Sequence, residues 1–157
     1  MNQPTPGHLG RLPYEDYKYV FARVPRLCVD LAFENGDGIL LTLRDIDPGK
    51  GFWHMPGGGL LRGETVEQAL RRIALDETGL LPGAPELLGV MEFADQQSPF
   101  FHTVSLVYRV RQWTGTLRGS DQGKELLFFR ELPEKIIREQ GEFLKAQSSK
   151  LEAGRGK

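Results

Sequence analysis

The chain has 157 residues, room for one domain with a sizeable core, and its 39% hydrophobic and 26% charged residues are ordinary for a globular protein. Twenty basic against 21 acidic side chains leave a net charge of −1. That balance argues against a nucleic-acid polymer as partner, and the absence of a signal-like or membrane-length apolar stretch gives the cytoplasm as the expected location, with no membrane partner.

Residues 1–22 read as an N-terminal arm, with Pro- and Gly-rich Met1–Gly10 a loose lead and Pro13–Val20 either a short helix or an extended segment. A domain over 23–147 follows, and the polar tail 148–157 is expected to be disordered. The first strand is predicted over Arg26–Glu34, where Leu27, Val29, Leu31 and Phe33 alternate with Cys28, Asp30 and Ala32. Cys28 is the only cysteine and reads as a small core residue. Asn35-Gly36-Asp37-Gly38 turns the chain into a second strand, Ile39–Arg44. Glycines and prolines break residues 45–63, leaving Phe52–Met55 as the one extended piece there.

The clearest helix comes next. Thr65 is its N-cap, Gln68 completes a capping box, Val66, Ala69, Leu70, Ile73 and Ala74 recur at helical spacing, and Gly79 stops it. Strands are then expected over Glu86–Ala94, His102–Trp113 and Glu125–Arg130, and a last helix over Glu134–Ala146, weakened by Gly141. Strands with interspersed helices and an early hairpin indicate a mixed sheet covered by helices.

The chemistry lies where the Gly-rich stretch runs into the capped helix. Glycines let backbone carbonyls and amides approach a phosphate or metal, and carboxylates in the last helical turn are the ligands a hard cation prefers. Arg72 stands one turn before Asp76 and can orient it or reach a phosphate. Taken singly these residues are a loop and a solvated helix face; their spacing together is not that of a random surface.

The 23 residues Gly58–Leu80 resemble the Nudix box: Gly, five residues, Glu, seven residues, Arg-Glu, aliphatic, any, Glu-Glu, any, Gly, aliphatic. Gly58, Glu64, Arg72, Glu77, Gly79 and Leu80 match, Asp76 is a conservative replacement, and Phe52-Trp-x-x-Pro-Gly-Gly58 resembles the entry to the box. The resemblance implies a Nudix-like α/β/α sandwich with a mixed central sheet, and a hydrolase that uses Mg²⁺ or Mn²⁺ to cleave a nucleoside diphosphate linked to another moiety.

One departure stands out: Ile73 replaces the acid of the Arg-Glu pair, which lowers the number or affinity of bound metal ions. The GDP-mannose mannosyl hydrolase branch also lacks that acid, and the chain resembles it further in Glu15-Asp16-Tyr17, in Pro25-Arg26 followed by Asp30, and in an arginine before Gly-Phe-Trp. That resemblance implies that Arg44 contacts phosphates, that the Gly57 carbonyl, Glu77 and Gln122 hold one Mg²⁺, and that the protein is a homodimer. It fails where the branch has its histidine base, since Gly123 follows Gln122 here, and where the branch has an arginine, since Gly59 follows the Pro-Gly-Gly run.

The expected site is therefore Arg72, Glu77 and Glu125 as catalytic groups, Arg44, Phe52 and Trp53 as substrate contacts, and Gly57, Glu64, Asp76, Glu77 and Gln122 as metal holders. Glu64 either anchors the loop or binds metal through water. Phe52, Trp53 and Phe100-Phe101 can stack on a base or sugar, with core packing as their ordinary role. His54 and His102 are each either a base or a hydrogen-bonded structural residue. The favoured reaction is attack of water on a phosphoanhydride; the alternatives are attack on the sugar carbon of a nucleotide sugar, and a catalytically weak nucleotide-binding or regulatory protein that keeps the fold.

Overall fold

The computed structural model describes residues 11–94, 101–121 and 123–149. The expected loose lead 1–10, the tail residues 150–157, the stacking candidate Phe100 and the metal candidate Gln122 lie outside them.

The hairpin forms as its turn chemistry dictates. Strand β1 (Arg26–Asn35) meets β2 (Gly38–Leu43) through Asn35 opposite Gly38, and the Asp37 N–H donates to Asn35 Oδ1 at 2.8 Å. Beyond the turn the two strands part. On one edge β1 pairs in parallel with β7 (Thr103–Val110), which pairs in turn with antiparallel β6 (Glu86–Phe93). The other edge of β1 is shared, with β2 taking the hairpin end and β4 (Gly57–Gly59) taking Cys28–Asp30. Strand β2 peels away to pair with β3 (Trp53–His54) and β9 (Glu125–Phe129).

Helix α2 (Val66–Thr78) is bounded as its sequence directs. Thr65 Oγ1 accepts from the Gln68 N–H at 3.2 Å, Gln68 Oε1 accepts from the Thr65 N–H at 2.9 Å, and Gly79 takes the left-handed conformation at φ +74°. The helix covers one face of the sheet, packing Ala69, Leu70, Ile73 and Ala74 on Val29, Leu31, Phe33 and Leu40. Burial of Leu70 and Ile73 contributes about 1.5–3 kcal/mol each. Helix α3 (Arg138–Ala146) covers the other face, where Ile137 and Leu144 meet Ala32, Leu41, Met55, Met91 and Val107. Clad on both sides, β1 is buried from Cys28 to Glu34, and the architecture is the expected α/β/α sandwich around a mixed sheet.

One alternative left open by the sequence is decided, and three details differ from the expectation. Pro13–Val20 resolves as a helix, α1 (Tyr14–Phe21), with no buried residue. The strand expected over His102–Trp113 divides: its end turns off as β8 (Gln112–Gly115) to pair with β5 (Leu80–Gly83), and Trp113 packs against Phe33 and Phe128. The last helix starts at Arg138 rather than Glu134 because the Lys135 carbonyl accepts from the Trp53 N–H at 2.7 Å and the Ile137 N–H donates to Trp53 O at 3.0 Å. The three glycines Gly57–Gly59, read as irregular, form a strand.

Candidate active site

The triglycine strand organises the site. Leu31 N–H donates to Pro56 O at 2.8 Å and Leu60 N–H to Leu27 O at 3.0 Å, which puts Gly57 and Gly59 at the positions that do not exchange hydrogen bonds with β1. Their amides and carbonyls therefore point away from β1, and α2 meets them there. Glu77 Oε2 accepts from the Gly57 N–H at 3.3 Å, and Arg72 Nη2 donates to the Gly59 carbonyl at 3.0 Å. The Gly57 carbonyl leaves the same outer edge, beside Glu77. The fit is tight at Gly57, where a Cβ would overlap the Asp30 carboxylate; one on Gly58 would make an ordinary contact, 3.4 Å from Ile73 Cδ1.

Arg72 and Glu64 lock the loop to the helix. Arg72 Nε donates to Glu64 Oε1, Nη2 donates to Glu64 Oε2 at 2.9 Å, and the Leu61 N–H donates to Oε2 at 2.9 Å. Hydrogen bonding from Arg72 holds Glu64 below the usual carboxylate range, and the pair raises Arg72 in return. Both oxygens of Glu64 are thus already in use, an arrangement that anchors the loop.

These groups open on a cleft of about 1710 Å³ at the fork of the sheet, lined on one side by Gly57–Gly59, Glu64, Arg72, Ile73, Asp76 and Glu77, and on another by Arg26, Asp30, Arg44 and His54. Burial pushes Glu77 up to about 8; the Gly57 N–H opposes that rise, and the charges of Asp30 and Asp76 add to it. Asp30, 6% exposed, accepts from the Ser105 hydroxyl, and burial raises it to about 6. Arg44 Nε donates to the Pro48 carbonyl, and desolvation lowers the guanidinium from its ordinary value. His54 Nδ1 lies 2.7 Å from Met55 O. Desolvation brings the His54 imidazole down to about 4, a shift the Met55 bond opposes and the charge of Arg44 reinforces.

Among the described residues, no three His, Cys, Asp or Glu side chains converge as a metal cage. The position one turn before Glu77, an acid in the Nudix box, holds Ile73, which is 2% exposed within the α2 core. What remains is a set of oxygen donors on one edge, the Gly57 carbonyl with Glu77 and Asp76. That set suits a hard cation that retains several waters.

Of the residues expected from sequence, the structure brings together Arg44, Gly57, Glu64, Arg72, Asp76 and Glu77. Three others do not line the cleft. Trp53 packs edge-on against Phe129, 4.8 Å between ring centres, Phe52 is exposed, and Glu125 opens β9 as an exposed residue opposite Leu43. His102 is exposed as well, and its carbonyl accepts from the Arg26 N–H at 2.7 Å. Sequence reasoning left out Asp30 and Arg26 from the site. Asp30 is hidden by its place inside an apolar strand, and Arg26 lies beneath the aromatic rings of Tyr17 and Phe21, 5.5 and 5.9 Å from their centres. Asp30 was discernible as a charged side chain set between the apolar residues Leu27–Val29 and Leu31–Phe33.

The NUDIX domain model matches residues 24–148. The chain belongs to the Nudix family. It is 39% identical over 112 residues to an ADP-ribose pyrophosphatase of Methanocaldococcus jannaschii, covering 71% of this chain and 66% of that protein. It is also 35% identical over 82 residues to the low-salt glycan biosynthesis protein Agl8 of Haloferax volcanii, covering 52% of this chain and 53% of that one. The matched stretch is thus about two thirds or less of these Nudix relatives' own length. Among solved structures, the MutT NUDIX hydrolase from Burkholderia pseudomallei superposes with a TM-score of 0.73 at 28% identity, over 78% of this chain and 98% of that one. A bifunctional NMN adenylyltransferase/ADP ribose pyrophosphatase from Francisella tularensis gives a TM-score of 0.70 at 21% identity, over 87% of this chain and 47% of that one, a likeness of fold.

Proposed function

We propose that this Nudix protein hydrolyses the phosphoanhydride of a nucleoside diphosphate carrying a second group, a substrate of the ADP-ribose class. The observation that carries the reading is the outer edge of β4, where the Gly57 carbonyl stands beside the Glu77 carboxylate in a cleft that also holds Arg44 and Arg26. Opposite charges arranged in this way meet a metal and a diphosphate together. The identity to an ADP-ribose pyrophosphatase supports the substrate class.

The Gly57 carbonyl and Glu77 would hold Mg²⁺, or Mn²⁺, with Asp76 beside them. Such an ion, when bound, acidifies a water and offsets charge on the diphosphate. The protein's own groups do the rest. Arg44, held by the Pro48 carbonyl, brings a guanidinium to the cleft that suits phosphate oxygens. Arg72 and Glu64 keep the loop that carries Gly57 and Gly59 in place. Glu77 carries the proton that must leave before the carboxylate can serve the metal.

A second reading, attack at the sugar carbon of a nucleotide sugar, draws on Ile73 and on the similarity to the Haloferax glycan protein. Gly123 weighs against it, since no histidine stands after Gln122 to take the proton of a water at carbon. A panel of ADP-ribose, GDP-mannose and other nucleoside diphosphate compounds, assayed for products with and without Mg²⁺, tests the reading. Metal-dependent release of a nucleoside monophosphate is expected; binding of the panel without turnover would make the chain a nucleotide-binding protein.

A further inference from the structure

His54 is a buried polar side chain that the proposed reaction leaves unused. It lies on β3 opposite Thr42 of β2, and side chains at paired positions share a face. Leu40, two residues before Thr42, packs in the α2 cluster, so Thr42, Arg44 and His54 look to the α2 side of the fork. Its neighbour Trp53 takes the other face and packs on Phe129. The imidazole is 8% exposed and lines the cleft.

The tautomer follows from the backbone. A carbonyl oxygen only accepts, so Nδ1, 2.7 Å from Met55 O, carries the hydrogen. Nε2 is then a lone pair. No described residue donates to it, and it is not among the buried atoms sealed away from solvent without a partner. Gly123 packs closely on the neighbouring Thr42: a Cβ there would overlap Thr42 Oγ1, and no side chain at that position shields the imidazole. Burial and the nearby Arg44 keep the ring uncharged through the neutral range.

Once a ligand fills the cleft and displaces water, an acceptor that faces it needs a donor from the ligand. Phosphate oxygens at neutral pH are acceptors and bring none; Arg44 and Arg26 in the same cleft suit them. We propose that His54 Nε2 accepts a hydrogen bond from a hydroxyl of the group carried on the diphosphate, so that His54 selects hydroxyl-bearing, sugar-type substituents. This rests on the function proposed above and names the part of the substrate that the phosphate contacts leave open. A site built around such a hydroxyl rejects an analogue that lacks it, because the acceptor is then left unpaired.

The test compares ADP-ribose with the ethyl ester of ADP, which keeps the diphosphate and carries a hydroxyl-free group. Both are given with Mg²⁺ to the unmodified protein and to His54→Phe, His54→Gln and His54→Asn; if the ester is not cleaved, its inhibition constant replaces KM. His54→Phe is expected to lose roughly tenfold or more on ADP-ribose, mainly through KM, and about twofold or less on the ester. His54→Gln, whose amide reaches the place of Nε2, recovers part of the loss. His54→Asn replaces only the Nδ1 contact and carries the same comparison if the phenylalanine variant does not fold. Equal losses on both compounds would assign His54 to the attacking water or to the scaffold and overturn the proposal, while leaving the hydrolase reading intact. Failure of the unmodified protein to cleave or bind either compound would overturn both.

Discussion

Removing the Arg72 side chain isolates what holds the active loop in place. Arg72→Ala deletes two hydrogen bonds to Glu64 and one to the Gly59 carbonyl, leaving a carboxylate and a carbonyl without their donor. Stripping one partner from a fully buried ion pair costs about 3–5 kcal/mol. Here the side chains are 26% and 16% exposed, so water takes over part of the lost interaction and about 2–3 kcal/mol is expected. For a domain of this size that lowers Tm by about 4–12 °C. Arg72→Lys should fall between, since an ammonium keeps the charge but not the fork. The pH dependence has a definite sign. Arg72 depresses Glu64, so the stabilisation is fully present above the unfolded carboxylate value and is lost as pH falls through the lower folded one. Thermal unfolding of the metal-free proteins at neutral and at acidic pH reads both effects. An Arg72→Ala protein that melts within about 1 °C of the parent at neutral pH would show that the clamp contributes nothing.

Glu77→Gln should lower turnover by about a hundredfold or more at saturating Mg²⁺, as loss of an essential charge-handling group does, and near-normal turnover in a folded variant would remove Glu77 from the mechanism. Because burial raises Glu77 from 4.5 to about 8, the folded protein holds a proton that the unfolded chain has released, so metal-free stability should fall as pH rises through that window. Mg²⁺ must displace the same proton, and calorimetry should show its affinity rising to about pH 8 and then levelling; an affinity independent of pH would contradict the assignment. Helix α1 leaves Tyr14 71% and Tyr19 63% exposed, and we expect this arm to be covered in a homodimer. Light scattering at micromolar concentration should give twice the chain mass, with monomer or insoluble protein after deletion of residues 1–22; a single-chain mass for the intact protein would sink the idea.

Local chemistry made α2 legible to the residue, because Thr65, Gln68 and Gly79 fix its ends and its apolar stripe fixes its face. The hairpin was legible for the same reason. What remained hidden depends on partners distant in sequence. Gly57–Gly59 has no side chains to show a strand's period, and only β1 makes it one. Lys135–Ile137 reads as helix by composition, yet hydrogen bonds to Trp53 hold Ile136 as a bridge to β3 instead. The box residues Arg72 and Glu77 were visible by spacing, whereas Asp30 and His54 reach the cleft only through strand register. Trp53 illustrates the converse: beside a functional loop in sequence, it faces the α3 core because alternation along β3 gives the cleft to His54.

Attack of water at phosphorus is the step on which the proposed hydrolysis turns. Hydrolysis of ADP-ribose and GDP-mannose in ¹⁸O-labelled water, with Mg²⁺ and with products followed by mass spectrometry, decides it directly. A nucleoside monophosphate and a sugar phosphate are expected, with one label in a phosphate group. A nucleoside diphosphate and a free sugar carrying the label in its hydroxyl would place the attack at carbon, and would mean that Ile73, rather than Gly123, was the truer sign of the chemistry.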